Sequence, residues 1–306
     1  MRVTNTLRYQ TVLYNLERRN EALTEYQKQI ATGKRINKPS DDPYGTDSAL
    51  SFRQRISLND QYQRNIENAQ GFMGFTDNTL DAINNILLDA KSTAVQADND
   101  NLQAQDRIVS ANEINQNLED LLNQANAQFA GKYIFAGYNY TVQPFTAERD
   151  ANGYITAVVA NTDGIDGQIE REIGKGIRES INVGGSELFQ QDGQDEVTDM
   201  FAQLITLRDA CLDNDVDAIG PQIEYLNDSI DHLNYHRSTV GERVNYMDKM
   251  LEQLKTQNVS LTEGLENIED VDLPDAVMSF ELEKSAYQAA LQTGGEIIQM
   301  SLLNFL

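Results

Sequence analysis

The 306-residue sequence predicts a mainly α chain with a small β insert, folded as an elongated antiparallel helical bundle or coiled-coil rod, with both termini at one end and the β domain at the other. Three observations carry this expectation. Apolar residues recur at sevens through both flanks of the chain, the spacing of a coiled-coil seam. One central stretch, rich in glycine, switches to short β-branched and aromatic runs separated by turn signals. Several amphipathic stripes need a partner, and folding the second half back along the first buries them with short connections.

The elements follow in order. Tyr9, Leu16, Leu23 and Ile30 are spaced by sevens, with Val12 and Tyr26 three residues after Tyr9 and Leu23, which predicts a first helix ending at Gly33. Ser40 or Asp41 is placed to cap a second helix with Pro43 in its first turn. That helix carries Ile66, Met73, Leu80, Leu87 and Ala94, with Ala69, Thr76, Ile83, Ala90 and Ala97 in the companion positions. A third carries Ala111, Ile114, Leu118, Leu121 and Ala125 and stops before Gly131. The β insert is expected over 132–185, with hairpin signals at Asn152-Gly153, Asp163-Gly164 and Asp166-Gly167 and a strand through Ile177, Ile181 and Val183. Helix returns near Glu196 with Val197, Phe201, Leu204 and Leu207. Two further stretches follow, Ile219 to Leu233 and Val240 to Ile268, the second with Asn258 as its one polar seam residue. A last helix from about Asp275 ends apolar.

A formal net charge of −24 excludes binding to nucleic acid or an anionic membrane through the whole surface. No apolar run reaches the length of a membrane span. The N-terminal segment is basic and amphipathic and lacks the apolar centre of a secretory signal peptide. The single cysteine, Cys211, excludes an internal disulfide and is expected as a buried, inert thiol. His232 and His236, four apart, share a helical face near Asp228 and Asp231. The glutamate of a zinc protease motif is missing between them, so solvated helix residues outweigh a metal site or a metal-dependent enzyme there. The Asp41-Asp42 pair is explained by caps and turns, and no cofactor, metal or catalytic set is expected.

The most heavily punctuated stretch is ATGKRINKPSDDPYGTDSA, from Ala31 to Ala49, which holds two of the chain's five prolines. Gly33, Arg35, Ile36, Asn37, Asp41, Asp42 and Gly45 form the pattern that follows the first helix in the bacterial flagellin superfamily, with Thr32 where serine is common. GKYIFAGYN at 131–139 and the C-terminal ALQTGGEIIQMSLLNFL are similar to the same family. With Pro39 and Pro43 in place, the loop resembles the hook–filament junction proteins more than filament flagellin. The resemblance implies a flagellin-type rod exported by the flagellar type III apparatus, located at the hook–filament junction. It would self-assemble into a ring, with hook-associated protein 1 below, flagellin above, and an export chaperone on the C-terminal helix. A filament-forming flagellin is the alternative.

On this reading residues 1–40 with 270–306 are terminal coiled-coil helices that order only on assembly. Residues 41–131 with 186–269 make the helical rod, and 132–185 the β domain. The implied assembly residues are Arg35, Ile36, Asn37, Pro39, Asp41, Asp42 and Pro43 in the loop, Leu16, Leu23 and Ile30 on the first helix, and Leu291, Ile298 and Leu302 on the last. Residues 1–40 carry eight basic and three acidic side chains, and residues 263–306 one basic and nine acidic. This asymmetry predicts an antiparallel pairing of the terminal helices, steered by Arg18, Arg19, Lys34 and Arg35 against Glu281 and Glu283, with Leu16 and Leu23 facing Leu291 and Ile298.

Overall fold

The computed structural model describes residues 2–190 and 199–303, with side chains for residues 7, 9–190 and 199–296. Helices α1 (Arg2–Thr32), α2 (Pro43–Ala97) and α3 (Ala104–Ala125) precede the insert. The one-turn α4 (Gly185–Phe189) closes it, and α5 (Met200–Asp213), α6 (Val216–Glu269) and α7 (Leu273–Leu303) follow. The chain divides into two compact units, Met1–Asn59 with Thr256–Leu306, and Asp60–Lys255.

In the unit of residues 60–255 the α2 series forms the spine of the core. Ile66, Met73, Leu80, Leu87 and Ala94, with Ala69, Ile83, Ala90 and Ala97, are fully buried. Thr76 fits the same stripe because its hydroxyl donates to the Phe72 carbonyl one turn back, at 3.0 Å. Ile114, Leu118 and Leu121 of α3 and Leu226, Leu233, Val240 and Met247 of α6 complete that core. The two stretches expected at 219–233 and 240–268 are one continuous helix. Pro221 is the sixth residue of that helix, already inside it, so the Asp217 carbonyl one turn back receives no N–H from it. Glu196 and Val197, expected at the return of helix, lie outside the described residues. α5 begins at Met200, where the Asp199 carboxylate accepts the N–H groups of Phe201 and Ala202 at 2.9 and 3.0 Å.

The insert is three separate antiparallel pairs. These are β1 (Gln128–Phe129) with β2 (Lys132–Tyr133), β3 (Phe145–Arg149) with β4 (Ile155–Ala160), and β5 (Glu170–Gly174) with β6 (Ile177–Ser180). The Asn152-Gly153 turn joins β3 to β4, with Gly153 at φ +90° and Asp150 accepting the N–H groups of Asn152 and Tyr154, each at 2.8 Å. Strand structure starts at Gln128, ahead of the expected 132. β6 stops at Ser180, so Ile181 and Val183 are buried beyond the strand, while Ile177 is exposed. Phe135, Phe145 and Phe189 of the insert pack with Phe201 of α5, ring centroids 5.1–5.5 Å apart. Gly137 is required at φ +56°, because a Cβ there would sit 2.2 Å from the Gly164 carbonyl.

In the other unit α1 and α7 pack antiparallel. Arg19 meets Glu283 at 2.9 Å, and Gly294 lies against Val12, where a Cβ would come within 2.9 Å of Val12 Cγ1. Leu16, Leu23 and Ile30 are half-buried, Tyr9 is exposed, and no described α1 side chain is fully buried. The covered face of α7 runs through Ala276, Phe280, Glu283, Tyr287, Ala290 and Gly294, spaced alternately by four and three. The expected pairing of Leu291 with the α1 seam is therefore corrected: Leu291 is 48% exposed, one position outside that covered series. Ile298 and Leu302 lie outside the residues whose side chains are described.

Candidate assembly site

The loop between α1 and α2 ties together four chain segments of one unit: the end of α1, the start of α2, the end of α6 and the start of α7. Gly33, at φ +70°, ends α1 in the left-handed conformation and donates its N–H to Gln29 O at 2.8 Å. Its own carbonyl accepts the Val271 N–H at 3.1 Å, and Lys34 bridges Asp270 in antiparallel fashion. Arg35 N–H donates to Glu269 O at 2.6 Å, and its guanidinium donates to Ile268 O at 2.9 Å. The last carbonyls of α6, which have no partner within the helix, are thus met by donors, one of them cationic.

Glu269 is the buried charge at the centre. Lys34 Nζ lies 2.9 Å and Arg53 Nη2 2.7 Å from its carboxylate. Burial alone would raise its pKa, but the hydrogen bonds from Lys34 and Arg53 outweigh burial and hold it below the usual glutamate value.

The other loop residues hold the loop's own shape. Ile36 is buried, and Gly45 passes so close that a Cβ would lie 2.6 Å from Ile36 Cδ1. Asn37 Nδ2 donates to Lys34 O at 2.7 Å. Asp41 N–H donates to Lys38 O at 3.0 Å, a turn with Pro39 at its second position. The Asp41 carboxylate accepts the Lys38 and Asn37 N–H groups at 2.8 and 3.0 Å, bonds that lower its pKa. Asp42, rather than Ser40 or Asp41, caps α2: it accepts the Gly45 N–H at 2.9 Å, with Pro43 as the first helical residue. Gly45's bond, then Arg35 at 3.3 Å, hold the Asp42 carboxyl below its ordinary value. A cleft of about 320 Å³ opens beside the clasp, with Lys34, Ile36, Lys38, Pro39, Leu50 and Arg53 among its lining.

The other sequence candidates lie in the unit of residues 60–255. His236 is buried, not solvated, because α4 covers this face of α6: His232 Nε2 lies 2.9 Å from the Glu187 carbonyl. The two imidazoles meet edge to face at 4.6 Å, and His236 Nε2 has no hydrogen-bond partner. Burial, followed by His232, depresses the His236 pKa. Among the described residues no group of three or more His, Cys, Asp or Glu is arranged to hold a metal ion. Cys211 is fully buried on α5, and burial pushes its thiol up to about 11, so the thiolate nucleophile is suppressed at neutral pH.

Residues 3–140 match the bacterial flagellin N-terminal helical region, and residues 223–306 match the bacterial flagellin C-terminal helical region. The chain belongs to the bacterial flagellin family. Like the rest of that family it is a structural protein of the flagellum and not an enzyme. It is 24% identical to flagellar hook-associated protein 3 of Escherichia coli, over 99% of this chain and 98% of that one. It is 23% identical to flagellin of Bacillus subtilis, over 95% of this chain and 94% of that one. A flagellar hook-associated protein structure from Vibrio parahaemolyticus shares the fold, with a TM-score of 0.67, 19% identity, and coverage of 75% of this chain and 100% of that one. In this flagellin-family chain the motif residues Gly33 to Gly45 converge on one clasp. Its centre, Glu269, and its second cation, Arg53, carry no sequence signal of their own. The cation-rich motif after α1 and an acidic stretch at the end of α6 are the only hints that they meet. Among the described residues no helix is long and apolar enough to cross a membrane.

Proposed function

We propose that the chain is the hook–filament junction subunit of a bacterial flagellum. It is secreted through the flagellar type III apparatus, with an export chaperone on its C-terminal helix. It self-assembles into a ring between hook-associated protein 1 below and flagellin above. The observation that carries this reading is the end-to-end similarity to a flagellar hook-associated protein 3. The proline-bracketed loop supports it.

In this reading residues 1–40 and 270–306 supply the assembly layer, 41–131 with 186–269 the rod, and 132–185 the β domain. Leu16, Leu23 and Ile30, each half-buried against a single helix, keep apolar surface for neighbouring copies, as does exposed Leu291. Ile298 and Leu302 belong to the same layer. Arg35, Ile36, Asn37, Pro39, Asp41, Asp42 and Pro43 fix the loop that presents this layer.

Deleting the gene tests the reading. The expected outcome is non-swimming cells that carry bare hooks and release flagellin into the medium. The similarity to a flagellin over most of the chain supports a second reading, a filament subunit. Seeding purified hooks separates them: a junction subunit stops at a ring, and indefinite growth from the seed overturns the junction reading.

A further inference from the structure

The cleft beside the clasp has an apolar floor and a cationic rim, in a chain whose net charge is −24. Ile36, Pro39 and exposed Leu50 supply apolar surface, and Lys34, Lys38 and Arg53 face a single acidic lining residue, Glu269. Glu269 is already engaged by Lys34 and Arg53, whose side chains stay about half exposed, at 42% and 49%. Lys38 is exposed at the rim.

The start of α7 carries the opposite character. Val277, Met278 and Leu282 are 45%, 66% and 70% exposed on the side of the helix away from α1. A helix normally turns such a stripe inward, so three large exposed apolar residues within two turns mark a face awaiting a partner. Glu281 lies among them, with its side chain 58% exposed and paired with Lys284 on the same helix at 3.0 Å, an exposed pair that a second cation can join. The cleft offers apolar floor and positive rim, and the α7 face offers apolar side chains and a carboxylate.

We infer that the cleft of one copy receives the Val277–Leu282 face of a second copy of this chain, with Met278 and Leu282 on the Ile36–Leu50 floor and Glu281 toward Lys38. The two patches are different surfaces of the same unit, so the contact is head-to-tail. Repeated from copy to copy, such a contact closes into a ring or runs on as a helix. The inference therefore rests on the junction-ring reading and names the surfaces that would make the ring. The desolvated apolar contact holds the copies together, while the rim charges set register and suppress wrong pairings.

Disulfide trapping in the full-length chain tests it, using Lys38→Cys with Met278→Cys, and leaving buried Cys211 in place. Oxidation of hook-seeded assemblies of the double variant is expected to give a ladder of covalent multimers. Each single variant is expected to stay monomeric on a denaturing gel. Charge exchange supplies the second measurement. Lys38→Glu and Glu281→Lys, each with an unchanged far-UV spectrum, are expected to raise the concentration for half-assembly about tenfold, and their combination to restore it to within about threefold of the parent. Rings that form without the ladder, and are indifferent to both charge variants, overturn this contact and leave the junction reading standing. A parent chain that forms no ring on hooks overturns both.

Discussion

Glu269 bonds two cations through its carboxylate and two backbone N–H groups of the loop, those of Arg35 and Ile36, through its carbonyl. Glu269→Gln keeps the shape but removes the charge that Lys34 and Arg53 are arranged around. The expected loss is about 1–3 kcal/mol, read from denaturant midpoints at pH 7. The sign with pH follows from its lowered pKa. Its contribution is present above the ordinary glutamate value of 4.5 and is lost as pH falls through the lower folded value, so the variant is expected to lose less stability on acidification across that window.

His236 works in another window, and its pKa is also lowered. The neutral ring suits the buried site, while the unfolded chain takes up a proton as pH drops below about 6.5. Burial first, then His232 and Arg243 on α6, oppose the charged form, while Glu187 on α4 favours it. Parent protein is expected to lose stability between pH 7.5 and 5.5, and His236→Leu to flatten that dependence. Equal slopes for the two proteins would sink the account. The spacing of the two histidines was readable in the sequence. The burial of His236 was not, because it depends on α4, a single turn opened by Gly185 with no periodicity to announce it.

At the scale of elements, the heptads told which residues would be buried wherever one helix has several partners. The α2 series from Ile66 to Ala97 became core position by position. Where a helix has one partner, the same pattern overstated burial. Leu16 and Leu23 of α1 are half-covered, and Leu291 of α7 is turned out because the covered series runs through Tyr287, Ala290 and Gly294, one position off it. Apolar spacing counts hydrophobic positions but does not fix which of two neighbouring positions, Ala290 or Leu291, faces the partner helix. Strand pairs of only two to six residues, such as β1 with β2, carry too little alternation to be bounded from sequence. A pair of truncations measures the difference. Leu87→Ala is expected to cost about 2–5 kcal/mol, because it opens a cavity in a fully buried seam. Leu291→Ala is expected to change monomer stability by no more than about 0.5 kcal/mol. A large monomer cost at Leu291 would show that its side chain is packed within the monomer.

For the whole molecule, the opposite charges of its two ends raise the question of what holds the terminal helices to each other. The expected antiparallel pairing of α1 with α7 is present, and Arg19 with Glu283 is one of the foreseen charge pairs. The other foreseen charges are used differently. Glu281 bonds Lys284 on its own helix, Lys34 goes to Glu269, and Arg35 goes to Asp42 and the end of α6. One exposed pair contributes about 0–1 kcal/mol, too little to set the stability of the contact. The apolar contribution is also reduced, since α1 is covered on one side only. The α1–α7 pair should therefore open far more readily than the α2–α3–α6 core, whose seam residues are completely buried. Amide exchange in a verified monomer is expected to be fast across Tyr9–Ile30 and slow across Ile66–Ala97. Slow exchange at Tyr9–Ile30 is expected only after hook-seeded assembly, when neighbouring copies cover the half-buried seam. Salt separates the two sources of binding. If charge steers the encounter, raising ionic strength slows the association of peptides spanning 1–40 and 263–306, while their final affinity changes little, because screening shortens the range of attraction and leaves apolar burial intact. Strong protection of Tyr9–Ile30 in the free monomer would show that α7 alone suffices, and the unfilled side of α1 would then need no neighbour.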